Sequence, residues 1–182
     1  MNKKSWPIIV GAAQFTQSKQ IDQPLDPLNL MVKTCQMAFN DTGVEDIKKV
    51  IDSIYMINIC SWSYKDAPKD LSKILHIKPV HKTYLPDGGD SPQMLVNRAA
   101  KAIASGKGQA ILITGGEAAY STYREKKGKI TLDWPEWRKP SYMEGKLWHG
   151  ISDFENKYGI ITPSISYAMF ETAVCAASGR SL

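Results

Sequence analysis

The chain is short of the residues that mark several functional classes. It has three cysteines and three histidines in 182 residues. Cys35, Cys60 and Cys175 are widely separated and odd in number, with no CxxC pair, so neither a disulfide framework nor a zinc ribbon is encoded. His76, His81 and His149 form no HxxxH pair, and no carboxylate cluster joins them, so no metal site is expected. Gly11 is not followed by a GxGxxG pattern, which removes the usual dinucleotide fingerprint. There is no zinc-finger, homeodomain or RNA-recognition signature, and nucleic acid is not an expected partner. No apolar run is long enough for a membrane-spanning helix. The opening Met1-Asn2-Lys3-Lys4 carries two lysines, but the apolar run after Pro7 is too short for a signal peptide, and a cytoplasmic location is expected. Internal repeats and low-complexity tracts are missing as well.

What is present describes an ordinary globular domain. The composition is 43% hydrophobic and 23% charged, within the normal range for a chain with a real core. The formal net charge is +5, with one local basic cluster at Arg124-Glu125-Lys126-Lys127-Gly128-Lys129. Such a cluster is either a solvated loop face or a site for an anionic ligand such as the phosphates of coenzyme A.

The pattern alternates strands and helices. Pro7–Phe15 is β-branched and predicts a first strand. Asp26-Pro27 caps a helix that reaches Thr42, where Gly43 stops it. Val50–Ile59 predicts a second strand, and Asp66-Ala67-Pro68 opens a short helix through Leu75. Lys82–Leu85 is a third strand. Ser91-Pro92 starts a helix that ends at Gly106, and Gln109–Thr114 is a fourth strand. This order predicts an α/β domain with a mixed, mostly parallel sheet flanked by helices. Residues 120–162 then form a long insertion with Trp134, Trp137 and Trp148 and a short helix near Ser152–Tyr158. Long loops of this kind commonly carry function. Thr162-Pro163 opens a last helix through Ser178, stopped by Gly179. The chain ends just past that helix, which reads as an interruption.

Several residues are candidates for chemistry. Gly88 and Gly89 turn the chain into a helix start, where free backbone N–H groups and the positive end of the dipole favour anions and thiolates. Ser91 is the nearest oxygen nucleophile there, although its plainer role is a helix cap, and no partner base is evident. Cys60, at the end of the second strand, is the best placed of the thiols. His149, in Trp148-His149-Gly150, is the histidine best placed for a ligand contact. Glu117 follows two glycines at a strand end, where open α/β sheets collect ligands, and it either takes part in chemistry or holds the insertion. Tyr123, Arg124, Trp134, Trp137 and Arg138 either stack on an adenine ring and pair with phosphate or form the local core of the insertion.

In their order along the chain, several motifs resemble the thiolase superfamily, on the branch related to sterol-carrier-protein thiolases and acetyl-CoA acetyltransferases. They are Ile8-Ile9-Val10-Gly11-Ala12-Ala13-Gln14, Asp26-Pro27-Leu28-Asn29-Leu30 and Ile57-Asn58-Ile59-Cys60-Ser61-Trp62. Further along come Gly88-Gly89-Asp90-Ser91-Pro92-Gln93 and Thr114-Gly115-Gly116-Glu117-Ala118. Pro163, Tyr167, Phe170 and Glu171 complete the set. The resemblance implies a thiolase-type N-terminal domain with a core of residues 5–119 and 163–182, the 120–162 insertion between them, and no C-terminal thiolase domain in this sequence. It implies acyl transfer between coenzyme A thioesters, with no covalently bound cofactor and coenzyme A or acyl-CoA as ligand. The family's nucleophilic cysteine falls on Gly89, so the chain alone is expected to be inactive. The parent protein would transfer the acyl group by direct attack. The alternative is a non-catalytic acyl-CoA-binding or partner subunit. Coenzyme A contacts are expected from Arg124, Trp134, Trp137, Arg138 and His149. A homodimer through residues 82–85 and a zinc-ribbon partner protein are the expected assemblies.

Overall fold

The computed structural model describes residues 6–145 and 150–180. The chain divides into two compact units, Met1–Leu147 and Trp148–Leu182.

The first unit is built on three parallel strands, β1 (Ile51–Ile57), β2 (His81–Leu85) and β3 (Ala110–Thr114), in the order β2-β1-β3. β1 is central and pairs Ser53 with His81 and Ile57 with Leu85 on one side. On the other it pairs Ile54 with Leu112 and Met56 with Thr114. The helices of this unit are α1 (Pro27–Asp41), α2 (Ile47–Val50), α3 (Ala67–Leu75), α4 (Ser91–Ala104) and α5 (Ala119–Lys126). Successive strand residues point to opposite faces, and both faces of β1 are apolar. On one face Ile54, Met56, Tyr84 and Leu112 meet Met31, Cys35 and Phe39 of α1 with Leu71 and Leu75 of α3. On the other, Tyr55 and Leu85 meet Leu95 and Ala99 of α4, with Ile111 and Ile113 against them. Each fully buried Leu, Ile or Met side chain here contributes about 1.5–3 kcal/mol through removal from water. The result is a helix–sheet–helix sandwich, which right-handed parallel crossovers require.

α1 is fixed by its cap. The Asp26 side chain accepts hydrogen bonds from the Leu28 N–H (2.9 Å), the Asn29 N–H (3.2 Å) and the Tyr64 hydroxyl. Asp26 is only 3% exposed. A buried carboxylate needs such a set of donors to be tolerated. α3 ends at His76, which takes the left-handed conformation (φ 56°) that closes the last turn.

Three expectations change. Pro7–Phe15 forms no strand: its described backbone makes no ladder, and Ile8 and Ile9 are 74% and 83% exposed. The segment lies extended along α1 instead. A Cβ on Gly11 would meet the Ala38 carbonyl oxygen at 2.4 Å, and the Ala12 N–H donates to Asp41 at 2.9 Å. The Lys33 ammonium sits 3.7 Å over the Phe15 ring. β-Branched sequence favours a strand only where another strand offers a free edge, and this segment runs beside a helix. Second, α5 forms directly after β3, inside the stretch expected to be irregular. Third, the short α2 precedes β1, so β1 starts at Ile51, one residue later than expected.

Residues 130–145 are not a loose loop. Backbone hydrogen bonds tie Arg138 N–H to the Ser63 carbonyl (3.0 Å), Ser141 N–H to Lys65 (2.9 Å) and Glu144 N–H to Tyr84 (2.8 Å). The segment is a strap laced along the first unit.

The second unit contains α6 (Asp153–Lys157) and α7 (Pro163–Ala177). Ser152 and Glu155 form a reciprocal capping box at the start of α6. Gly179, with φ 67°, follows the end of α7. Both helices fall where the sequence places them.

Candidate functional site

Parallel strands all exit on the same side, so the segments after β1, β2 and β3 converge on one edge of the sheet. Asn58 to Ser61 follow β1, Asp87 to Gly89 follow β2, and Gly115 to Glu117 follow β3. A hydrogen-bonded network joins them. The Tyr84 hydroxyl donates to Asn58 Oδ1 (3.0 Å), and Asn58 Nδ2 donates to Asp87 Oδ1 (3.0 Å). Glu117 accepts from the backbone N–H groups of Cys60 (2.6 Å) and Ser61 (2.9 Å), one on each oxygen. The Ser61 hydroxyl in turn accepts from the Ala118 N–H (2.8 Å). Glu117 therefore clamps the exit of β1 to the exit of β3. Gly116 lets the exit of β3 lie close against the start of α1: a Cβ there would meet Met31 Cγ at 2.9 Å and the Pro27 carbonyl oxygen at 3.1 Å.

α4 opens on this edge. Asp90 occupies the N-cap position, without a side-chain cap bond, and Ser91 is the first helical residue, followed by Pro92. Ser91 is thus inside the helix, not its cap. It is buried, and its hydroxyl bonds no histidine or carboxylate among the described residues. The two glycines of the turn differ. A Cβ on Gly88 would collide with the Ser91 hydroxyl at 2.7 Å, whereas a Cβ on Gly89 would meet nothing within 4 Å. Gly89 also has no left-handed backbone. Neither packing nor backbone geometry demands glycine there.

Thiol chemistry is poorly supported nearby. Cys60 is exposed on this edge, and its pKa is raised first by desolvation and then by the carboxylates of Asp87 and Glu117. Burial lifts Cys35 from 9.0 to about 11, and its thiol donates to the Thr114 hydroxyl at 3.6 Å. His81 begins β2 and so lies at the opposite edge of the sheet, and His76 caps α3. His149 lies outside the described residues. Among the described residues no group of three His, Cys, Asp or Glu side chains is placed to hold a metal.

The residues expected to contact coenzyme A are spread along the strap and α5. Arg124 donates to the carbonyls of Lys19 (3.0 Å) and Ile21 (2.6 Å) and lies 3.8 Å from Asp22. The Trp134 indole N–H donates to the Pro24 carbonyl at 2.8 Å, and its ring meets Trp62 edge to face at 5.2 Å. Trp62 also holds the strap, by donating to the Pro135 carbonyl at 3.0 Å. Trp137 is exposed, and Arg138 pairs with Glu136 at 2.8 Å. Arg124, on α5, fastens the segment Lys19–Asp22, and Trp134 fastens the strap to Pro24, while Trp137 and Arg138 stay accessible. Sequence reasoning missed the role of Trp62; its only signal was an aromatic residue just after a strand end.

No family model matches the sequence, and no curated protein matches it. Solved structures do. One is a monomeric SCP2-thiolase-like protein type 1 from Mycobacterium smegmatis, with 24% identity and a TM-score of 0.54 over 61% of this chain. Another is a histidine-to-asparagine variant of OleA from Xanthomonas campestris with cerulenin, with 17% identity and a TM-score of 0.51 over 63% of this chain. The matched region spans 23% of the first protein's length and 35% of the second's. Among the described residues no helix is long and apolar enough to cross a membrane. Across the region these structures cover, with its parallel sheet between two helix layers, the protein has the thiolase-like fold.

Proposed function

We propose that this chain belongs to a thiolase-superfamily protein that binds coenzyme A thioesters at the carboxyl edge of its parallel sheet. The acyl group passes directly to an acceptor, without an acyl-enzyme. The acceptor's nucleophilic atom bonds to the thioester carbonyl carbon as the C–S bond breaks, and the departing thiolate takes the proton the acceptor releases. The observation that carries this reading is Gly89. It stands at the entry to α4, where a side chain would fit, yet it has none to carry an acyl group. Cys60 is a poor replacement, because desolvation and then the carboxylates of Asp87 and Glu117 oppose its thiolate.

The test is rapid-quench analysis of the full-length protein with radiolabelled acetyl-CoA and candidate thiol or enolate acceptors. Turnover without a protein-bound label supports direct transfer. A stoichiometric labelled adduct on the protein would refute it.

The same lack of a nucleophile, with no histidine at the described part of this edge, favours a second reading, a non-catalytic acyl-CoA-binding or partner subunit. Acyl-CoA binding by calorimetry, together with no turnover for any acceptor, would select it. In either reading we propose a core of residues 5–119 and 163–182 carrying the 120–162 insertion, a cytoplasmic location, and assembly as a homodimer along the outer edge of residues 82–85 or with a zinc-ribbon protein. Light scattering of the purified protein, alone and with such a partner, tests the assembly.

A further inference from the structure

β2 is an open edge of the sheet, since β1 pairs it on one side only. The Asn58 N–H donates to the Leu85 carbonyl at 2.8 Å, so the backbone groups of Leu85 face β1. Backbone alternation then turns the N–H and C=O groups of Lys82 and Tyr84 outward. Such a row is a template for pairing with another strand, and proteins blunt it with charge or by covering it. Lys82 is exposed on this edge and supplies the charge. The strap supplies the cover.

The cover is one residue wide. The Glu144 N–H donates to the Tyr84 carbonyl at 2.8 Å, and among the described residues no other backbone hydrogen bond reaches Lys82 or Tyr84 from outside the sheet. Two contacts hold Glu144 in place. Its neighbour Met143 packs against the larger apolar core. Its carboxylate accepts from the Arg98 guanidinium of α4 at 2.7 Å. That guanidinium is steadied in turn by the Tyr55 ring, whose centroid is 5.5 Å away. Gly145 then takes a φ of 94°, which breaks the extended conformation a second ladder bond would need. The Arg98 and Glu144 side chains are 44% and 36% exposed, so water competes for both ends of the ion pair. The contact is strong enough to place the strap end and weak enough to open.

We infer that residues 143–145 are a guard on the β2 edge, latched by Arg98 and Glu144, and that opening the latch admits a second copy of this chain. The inference rests on the homodimer reading above and adds what controls it. A second copy suits the edge because pairing about a two-fold axis sets the outward Lys82 and Tyr84 groups of each copy against the same groups of the other. The latched Glu144 occupies the Tyr84 carbonyl from the side on which that second strand must lie, about 4.8 Å away.

The experiment is sedimentation velocity on the full-length protein across a concentration series, joined to amide hydrogen exchange at Lys82 and Tyr84. The parent is compared with Glu144→Ala, with Arg98→Gln, and with the charge-reversed double variant Arg98→Glu, Glu144→Arg. Lys107→Gln is the control, and circular dichroism checks that each variant folds. Each single latch variant should dimerise about fivefold more tightly than the parent. Its dimer should slow exchange at Lys82 and Tyr84, the charge-reversed variant should return to the parent's affinity, and the control should match the parent. Equal affinity in parent and latch variants, with Lys82 and Tyr84 protected at high concentration, would overturn the guard and leave the homodimer standing. Tighter dimers without that protection would overturn this edge as the interface, and the guard with it. Monomers in every case would overturn both the guard and the homodimer.

Discussion

Gly89→Cys puts a thiol at the entry to α4, and the structure predicts that it will be a poor nucleophile. The substitution should fold. No atom lies within 4 Å of a Cβ at this position, whereas the neighbouring Gly88 would collide at 2.7 Å. Removing a glycine from the unfolded chain adds about 0.4–1 kcal/mol of stability where the backbone permits it. The start of α4 favours the thiolate by about 0.3–1 kcal/mol, which is less than one pKa unit at about 1.4 kcal/mol per unit. The new side chain, however, stands two residues after Asp87 and one before Asp90 in the chain. For an assumed separation of roughly 7 Å and an effective dielectric of about 40–80, a carboxylate opposes a thiolate by ~0.6–1.2 kcal/mol. Two carboxylates outweigh one helix start, so the thiol pKa stays at or above the ordinary value of about 8.5. Cys60 shows the same sign, with Asp87 among the groups that raise it. The assay is the pH dependence of iodoacetamide alkylation, read by intact mass in a Cys60→Ser background. A further Asp87→Asn change should lower the apparent pKa and speed the reaction at pH 7.5. An apparent pKa below about 7 in Gly89→Cys without the Asp87 change would refute the charge argument, because the helix start would then dominate.

Glu117→Gln should cost about 1–2 kcal/mol in urea unfolding, since an amide keeps one acceptor oxygen and turns a donor toward the second N–H. It should also speed alkylation of Cys60, because the Glu117 charge helps to raise that thiol; an unchanged rate would remove Glu117 as a cause. Asp26→Ala removes the cap of α1 and leaves the proton of the buried Tyr64 hydroxyl without its acceptor, a loss of about 3 kcal/mol, or roughly 6–12 °C in Tm for a chain of this size. A loss below 1 kcal/mol would show that the carboxylate is not a structural tie. The raised pKa of Cys35 predicts a pH effect of fixed sign. Its contribution is fully present below pH 9, where the thiol is neutral in both states, and fades by about 2–3 kcal/mol as pH rises from 9 toward 11. Comparing alkaline unfolding of the parent with Cys35→Ala should show a steeper slope in the parent, the slope that remains in the variant coming from the buried Tyr64 and Tyr84 phenols, whose pKa values are also raised.

Much of the architecture was legible because local and tertiary forces agree there. Asp26-Pro27 and Asp66-Ala67-Pro68 announce α1 and α3 through a capping carboxylate and a proline in the first turn, and both helices form where those signals stand. β1 reads as a strand because Ile51–Ile57 is apolar on both faces, as a central parallel strand must be. Pro7–Phe15 misleads for the opposite reason. Its β-branched residues satisfy a propensity, but a strand is a pairing, and the sequence does not show whether an edge is available. The strap was hidden as well. Its hydrogen bonds run from residues 138–144 back to Ser63, Lys65 and Tyr84, a separation no local pattern reveals.

The site divides along the same line. The sequence alone determined that a glycine turn enters a helix at Gly88-Gly89, that no cysteine stands there, and that Glu117 follows two glycines at a strand end. Those are facts of residue type and order. The tertiary structure decided that Glu117 grips the amides of Cys60 and Ser61, and that a side chain at Gly88 would crowd the Ser91 hydroxyl while one at Gly89 would meet nothing. It also decided that Arg124 and Trp134 fasten distant segments while Glu144 reaches the edge of β2. The contacts of Glu117, Arg124 and Trp134 join residues 56 to 110 positions apart, and those distances exist only once the strands have paired and the helices have packed on them.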